Sequence, residues 1–319
     1  MNQSYMKPFR KENFKADNLD SYGSLFFGCQ LEFVQAEVYR YQYAPLLAFE
    51  LIPINYNVPA GAKYVSATGY QSVGRARIIN NYADDLPQVS VLGQKLVNPV
   101  ISIGCSYRYS YEDIRTAQYG NIPLDSMLAI SAKLANDQKV NDLALNGDLI
   151  SGMYGWLNNP NIPRQSVPAD GVGASTLWIN KTPDQILRDM NLIANAVVVN
   201  SNNVERPNSL ALPIDQYTLI ASLPRSPNSD TTILNYFLMN NPYIKQVYAV
   251  QNLTGSGVGG VNEMIAFTKD ATKFAMQVAM PFTQYSPQER NLEFVINCES
   301  KFGGVQVYYP LSMNIGEGI

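Results

Sequence analysis

The pattern of apolar and polar positions predicts an extended β-hairpin in the first third of the chain. Between about residues 57 and 104, two runs rich in Val, Ile and Tyr flank a turn-like segment, YADDLP (82–87). Extended runs of this composition with Gly, Asn and Pro at the breaks are typical of antiparallel strands. Because each face of the hairpin is only half apolar, we expect it to project from the protein.

A long helix is predicted next, from about Leu124 to Asn146, with Gly147 placed to end it. At 1.5 Å per residue its length is ~33 Å. Polar residues interrupt its apolar stripe, so we expect it to lie on a sheet across a partly polar interface. The predicted apolar stripe consists of Leu124, Met127, Leu128, Leu134, Ala135 and Leu145.

The second half of the chain alternates strand-like and helix-like segments. Residues 147–178 are rich in Gly, Asn and Pro and predict a domain boundary or a binding loop. A second helix begins at Thr182-Pro-Asp-Gln185, which is a capping-box sequence. Three strand candidates, KFAMQVAM, LEFVINCESK and GVQVYYPLSM, come last. This order predicts an α+β fold.

Composition excludes several kinds of chemistry. The 319 residues include no histidine, which excludes histidine-dependent catalytic triads and histidine-ligated zinc or haem. Only 15% of the residues are charged, against about 25% in an average soluble domain, whereas tyrosine occurs 21 times. The net charge of −3 argues against a dedicated reader of DNA sequence. We expect the polar, tyrosine-rich surface to face either solvent or partners.

Targeting and redox signals are weak. The basic N-terminus lacks the apolar stretch of a signal peptide. The longest apolar run, residues 43–54, is interrupted by two prolines and a glutamate, so no membrane association is expected. Cys29, Cys105 and Cys298 are odd in number and lack CxxC spacing, so they are interpreted as reduced, buried thiols.

Few residues suggest a catalytic or ligand site. Asp84 and Asp85 allow a metal or acid-pair interpretation, but adjacent carboxylates on a strand point to opposite faces, so a turn pair is preferred. The GSGVGG segment (255–260) lacks the lysine of a phosphate loop and predicts a hairpin connection. A serine or cysteine nucleophile has no signature here. We therefore predict no catalytic residue, no cofactor and no metal.

Basic residues leave two interpretations open. They can be solvated charges or inter-subunit ion pairs, or they can contact a nucleic-acid backbone, which requires only a few lysines per chain. The residues considered for contact with a nucleic-acid backbone are Lys7, Arg10, Lys11, Lys15, Lys133 and Lys139.

Several motifs together resemble one family. They are ADDLP (83–87), SIGCSYRYSYEDIR (102–115), IPLD (122–125) and GMYGWLNNPNI (152–162). In this order they resemble the Hong-Kong-97-type major capsid proteins of tailed bacteriophages. The resemblance is continuous over about residues 75–162, and from 180 to 319 it depends on the order of elements alone.

The resemblance implies an α+β capsid fold. The implied parts are an N-terminal arm with the first peripheral strand (1–56), an extended loop (57–104), a peripheral domain (105–179) with a spine helix (122–147), an axial domain (180–290) and closing strands that pack back on both domains (291–319). No scaffolding segment is expected ahead of the arm. Some members form Lys–Asn cross-links, for which Lys63 and Lys95 lie in the hairpin region. The residues expected at inter-subunit contacts are Arg75, Arg77, Asp84, Asp85, Lys63 and Lys95.

The function implied is structural rather than enzymatic. The chain is expected to assemble with itself into hexamers and pentamers of an icosahedral head that encloses double-stranded DNA. A portal protein, and decoration or scaffolding proteins, are further expected partners, with assembly in the bacterial cytoplasm and final location in the virion. Two alternatives stay open: an encapsulin-like compartment shell and a soluble hydrolase without histidine.

Overall fold

The computed structural model describes residues 43–78, 88–120, 124–226 and 230–319. The chain divides into two compact units, Met1–Pro45 and Leu46–Ile319, and the helices and strands described here lie in the second. The helices are α1 (Ala48–Leu51), α2 (Tyr111–Tyr119), α3 (Leu124–Asn146), α4 (Pro183–Asn200), α5 (Ile214–Ser222) and α6 (Ile233–Asn240). The strands are β1 (Ile54–Asn55), β2 (Tyr64–Val73), β3 (Ser90–Pro99), β4 (Ile101–Ser110), β5 (Gly147–Asp148), β6 (Met153–Tyr154), β7 (Arg164–Ser166), β8 (Ser209–Leu212), β9 (Gln246–Ala249), β10 (Glu263–Phe267), β11 (Phe274–Gln284), β12 (Gln288–Arg290), β13 (Glu293–Val307) and β14 (Met313–Glu317).

The first large sheet is built around β13. One side of β13 pairs antiparallel with β11 and then with β12, and the other side pairs with β4 along ten residues. β1 joins the outer edge of β11 in parallel. Residues 101–104, which the sequence analysis places in the extended loop, therefore belong to a strand of this sheet.

The second large sheet has the order β7-β14-β10-β8-β9, and its central strands β8 and β10 are buried on both faces. Successive side chains of a strand point to opposite faces. Ile265 and Phe267 of β10 accordingly join one hydrophobic cluster, whereas Met264 and Ala266 join another beneath α4. All five residues of β10 are buried, so EMIAF reads as a continuous rather than an alternating apolar run.

Helix α3 has the predicted bounds, Leu124–Asn146, and packs against β4 and β13, but its buried face differs from the predicted one. Of the six predicted residues only Leu145 is buried, and Ala135 is exposed. The helix approaches the sheet through small and polar side chains, and the Asn136 amide oxygen accepts a hydrogen bond from the Ser300 hydroxyl at 2.6 Å. The residues that are buried are Ala132, Asn136, Val140, Leu143, Ala144 and Leu145.

Part of the glycine-rich segment after α3 packs into the hydrophobic core, while its interpretation as a domain boundary or a binding loop stays a prediction. Gly147 has a φ of +71°, and a Cβ there would lie 2.4 Å from the Gly155 nitrogen. This close approach folds the chain back on the helix end, where the Trp156 amide donates to the Ala144 carbonyl at 2.8 Å. The Trp156 side chain is fully buried.

Local end signals define two helices. The predicted capping box of α4 is confirmed, with reciprocal hydrogen bonds between Thr182 and Gln185. A second box, between Ser110 and Asp113, begins α2, a helix that the sequence analysis did not predict. The Ser110 hydrogen bonds lower the pKa of the Asp113 carboxyl.

The closing strands also differ from prediction. LEFVINCESK and GVQV form one continuous strand, β13, since Gly304 with a φ of +76° accommodates an irregularity without ending it. β14 pairs with β10 and β7 in the second sheet. The chain therefore ends in the second sheet after β13 has passed beneath α3.

Candidate functional site

Most described residues of the β2–β3 hairpin are exposed. Its strands pair along ten residues, from Tyr64 opposite Pro99 to Val73 opposite Ser90, in a sheet of two strands. At about 3.4 Å per residue each strand is ~34 Å long. A hairpin without a third strand or a covering helix is marginally stable in water.

One face of the hairpin is attached to the rest of the protein near its base. The Asn98 side-chain amide donates to the Val305 carbonyl at 3.2 Å, and a Cβ at Gly303 would lie 3.1 Å from Val65 Cγ2. The Val100 amide also donates to the Lys63 carbonyl at 2.9 Å. The hairpin therefore has a defined direction at the point where it leaves the first sheet.

The opposite face carries exposed apolar and aromatic side chains along its length. Cross-strand partners share a face, and alternate residues of each strand return to it. This apolar face of the hairpin consists of Tyr64, Tyr70, Val91 and Val97, which are between 49% and 77% exposed. The Tyr70 ring lies over Gly93, its cross-strand partner, with ring carbons 3.6 and 3.7 Å from the position of a Cβ. A row of large exposed apolar groups is typical of a protein–protein interaction surface.

Four of the predicted contact residues lie on or next to this hairpin. Lys95 pairs with Thr68 in register and shares the apolar face, while Lys63 precedes β2 at the base. Arg75 and Arg77 follow β2 and are exposed. Asp84 and Asp85 are outside the described residues, so the predicted grouping of acids and bases stays a prediction.

Of the residues predicted to contact DNA, two lie within the described part of the chain and four lie outside it. Lys133 and Lys139 are exposed on α3. Lys139 Nζ lies 3.4 Å from Asp142 Oδ2, three residues further along the helix, and forms an ion pair with it. Lys133 also lines a cavity of about 410 Å³ between α3 and the first sheet. The arm residues Lys7, Arg10, Lys11 and Lys15 fall outside the part of the chain that the structure describes.

Charged groups that sequence reasoning missed converge at one end of the second sheet. Arg164, at the start of β7, contacts the fully buried carboxylate of Glu263 and lies 2.7 Å from Glu317. Its guanidinium also donates to the Leu157 carbonyl, and the Ser256 hydroxyl donates to Glu263 at 2.8 Å. Burial raises the pKa of the Glu263 carboxyl, while Ser256 and Arg164 oppose that rise.

A second charged cluster ties the segment before α4 to that helix. Lys181 Nζ lies 2.5 Å from Asp189 Oδ2, with both side chains fully buried, and donates to the Pro168 carbonyl at 2.7 Å. Arg188 bridges Asp189 at 2.9 Å and Asp170 at 2.5 Å, and its hydrogen bond lowers the pKa of the Asp170 carboxyl. No sequence motif predicted either cluster, because their members are brought together only by folding.

In each cluster the acidic and basic side chains contact one another within the subunit. Within residues 43–78, 88–120, 124–226 and 230–319 there is no group of three acidic or cysteine side chains that could hold a metal ion. No helix among those residues is both long and apolar enough to cross a membrane. The apolar face of the hairpin is one of the exposed apolar surfaces of the described chain.

Comparison with protein families gives one match over most of the chain. The sequence model of the family described as "Major capsid protein" matches residues 74–319. This range includes β3, the long helix α3 and both large sheets except β1. No curated protein matches the chain.

Solved structures of low sequence identity share the fold. The capsid of Myoviridae phage XM1 has a TM-score of 0.77 at 17% identity, over 91% of this chain and 98% of that one. The capsid of an empty GTA particle has a TM-score of 0.65 at 10% identity, over 94% and 99% of the two chains. A virus-like particle from Pyrococcus furiosus has a TM-score of 0.53 at 12% identity, over 84% and 91%.

Proposed function

The chain belongs to the major capsid protein family, and from that premise we propose that its β2–β3 hairpin joins neighbouring copies in the hexamers and pentamers of an icosahedral phage head. The protein is a major capsid subunit, and its place is the virion. The predicted α+β fold of Hong-Kong-97 type is confirmed by the shared fold of the capsid structures. The division into arm, extended loop, peripheral domain and axial domain is part of the proposal.

One observation carries the proposal for the hairpin. Both faces near its tip are exposed, as the successive residues Val91 and Leu92 show at 60% and 59% exposure. Since successive strand residues point to opposite faces, neither face has a partner there within the described chain. A second copy of the chain would bury this area, and repeated contacts around a closed shell would add to one another.

The enclosed cargo is proposed to be double-stranded DNA, held by weak contacts. A duplex carries one charge per ~1.7 Å, so a few basic residues per subunit give a salt-sensitive contact without strong binding. Lys133 is an exposed candidate, whereas Lys139 shares its charge with Asp142. We include the portal, decoration or scaffolding proteins and assembly in the host cytoplasm in the same proposal.

Family membership favours this function over both alternatives. An encapsulin-like shell would use the same fold around a cargo enzyme, and a hydrolase would need an activated nucleophile. Burial raises the pKa of the Cys298 thiol, which opposes formation of a nucleophilic thiolate. We propose that the protein has no catalytic activity.

The test is a matched pair of hairpin variants of the full chain. Tyr70→Asp with Val91→Asp places two charges on the apolar face of the hairpin, and Tyr70→Phe with Val91→Ile keeps that face apolar. We expect the first pair to abolish shells in electron micrographs and the second to preserve them. Normal shells from the Asp pair would overturn the proposal. Because both side chains are exposed, the melting temperature of the unassembled subunit reports whether each variant is folded.

A further inference from the structure

Two cysteines that are 193 positions apart in the sequence lie directly opposite each other in the first sheet. The β4–β13 ladder pairs Cys105 with Cys298 as cross-strand neighbours. Opposed residues of an antiparallel pair have Cα atoms about 4.5 or 5.5 Å apart, and both distances are within the range that a disulfide spans, ~4.4–6.8 Å. Both thiols are free in this structure.

The two side chains also point to the same side of the sheet, towards α3. Cys298 packs with Ala132 and Ile296, and Cys105 lies against the same cluster. The Cys105 Sγ atom lies 3.6 Å from the carbonyl oxygen of Ala132. Since cross-strand partners share a face, the two sulfur atoms need no strand rotation to meet.

We propose that Cys105 and Cys298 form a cross-strand disulfide when the protein meets an oxidant of the low-molecular-weight disulfide class. The bond would join β4, which directly follows the hairpin, to β13 at the centre of the first sheet. It would close a loop of about two hundred residues and so restrict the unfolded chain. This inference concerns the subunit itself and does not depend on the proposed assembly.

The difference in exposure of the two thiols assigns the order of the steps. Cys298 is 3% exposed and burial raises its pKa, whereas Cys105 is partly exposed. Cys105, as its thiolate, attacks the small disulfide and forms a mixed disulfide, releasing one small thiol. Cys298 then loses its proton to solvent and attacks the Cys105 sulfur, releasing the second small thiol. Two electrons pass from the protein thiols to the small disulfide, so the reaction balances.

The experiment uses the full chain and oxidised glutathione. After incubation, the remaining thiols are alkylated in denaturant and the chain is digested with trypsin without reduction. We expect two of the three thiols to be lost and the peptides 96–108 and 291–301 to be linked, with a mass lower by two hydrogens. Cys29, in peptide 16–40, should not occur in the linked product.

Several outcomes would overturn the proposal. They are three free thiols after oxidation, a stable mixed disulfide of Cys105 with glutathione, and a link that includes Cys29. Cys105→Ser and Cys298→Ser should each abolish the linked peptide, and Cys29→Ser should leave it intact. If a variant does not fold, the peptide map of the unaltered chain still shows whether Cys105 and Cys298 are linked. An increase in melting temperature that a reductant reverses is expected for the unaltered chain and for Cys29→Ser alone.

Discussion

The β2–β3 hairpin and the central strands of the second sheet are built on opposite principles. Strand β10 is buried on both faces, between the cluster beneath α4 and the cluster around Trp156. The hairpin has strands twice as long, yet apolar side chains on both of its faces are exposed. Apolar content is therefore a poor guide to burial within this chain.

The difference shows where each region obtains its stability. β10 is stabilised by the subunit's own core, at ~25 cal/mol per Å² of apolar area removed from water. Away from its base the hairpin gains little from the described part of the subunit, and it is proposed to gain most of its burial from a second copy. Substitutions in the core should thus destabilise the subunit, whereas those on the hairpin should act on assembly.

Trp156→Ala should give the largest effect on the core side of this comparison. The indole packs edge-on against Phe267 at 4.9 Å and stacks on Phe274 at 6.0 Å between ring centroids. Removing it leaves a large cavity, and we expect a loss of about 3–5 kcal/mol in the free energy of unfolding. Chemical denaturation of the unassembled subunit measures it. Tyr154→Ala, on a half-exposed side chain two residues earlier, is the matched control, and an equal loss for both would contradict the assignment of Trp156 to the core.

Arg164→Ala should give the next largest loss in the free energy of unfolding, about 3 kcal/mol. Removing one partner of a buried ion pair leaves the charge of the other partner uncompensated. Glu263 is fully buried and loses its cation in this variant. Arg115→Ala, which breaks an exposed ion pair with Glu112, is the control and should have little measurable effect. A similar result for the two variants would show that the cluster contributes no more than a surface pair.

The Arg164→Ala deficit should also depend on pH. Burial already raises the pKa of Glu263, and without Arg164 that pKa rises further. A carboxyl with a raised pKa in the folded state stabilises the fold below its unfolded pKa and loses that contribution as pH rises through the folded value. The deficit should therefore be smallest in acid and grow with pH. Denaturation at a series of pH values checks the direction, and a deficit that grew in acid would contradict it.

The elements that the sequence predicted well are those set by neighbouring residues. The α4 capping box and the end of α3 at Gly147 depend on contacts within a few positions. The buried face of α3 was wrong because the helix approaches the sheet through Ala132, Asn136 and Ala144 rather than through its leucines. Hydrophobicity alone does not reveal a close approach that needs small side chains.

Features set by long-range pairing could not be predicted from one sequence. Cys105 and Cys298 have no common motif, and only the ladder between β4 and β13 makes them neighbours. The same is true of Arg164 with Glu263, which are 99 positions apart. LEFVINCESK and GVQVYYPLSM are separate strand candidates in the sequence, but β13 continues through Gly303 and Gly304 between them.

Thr182→Ala should lower the free energy of unfolding by a smaller amount, about 1 kcal/mol, because it removes the N-cap side chain of α4. The Thr182 hydroxyl accepts a hydrogen bond from the backbone N–H of Gln185 at the start of α4. This helix covers one face of the second sheet. Thr182→Ser keeps the hydroxyl and should retain most of the stability. Thermal unfolding of the unassembled subunit distinguishes them, and equal losses for Ala and Ser would assign the effect to the lost methyl group instead.

Tyr70→Ala should have the smallest effect on the subunit, within about 0.5 kcal/mol, because its side chain is 77% exposed and surface substitutions rarely cost more. The ring does cover Gly93 within its own hairpin, so a small loss of local order is expected near that pair. Phe267→Ala is the matched core substitution and should cost several kcal/mol, since that ring is fully buried. Chemical denaturation of both unassembled variants makes the comparison. A loss above about 1 kcal/mol in the free energy of unfolding for Tyr70→Ala would mean that the hairpin packs on its own chain. The contrast between the two regions would then fail, because an element already stabilised by its own subunit has no apolar surface left for a neighbour.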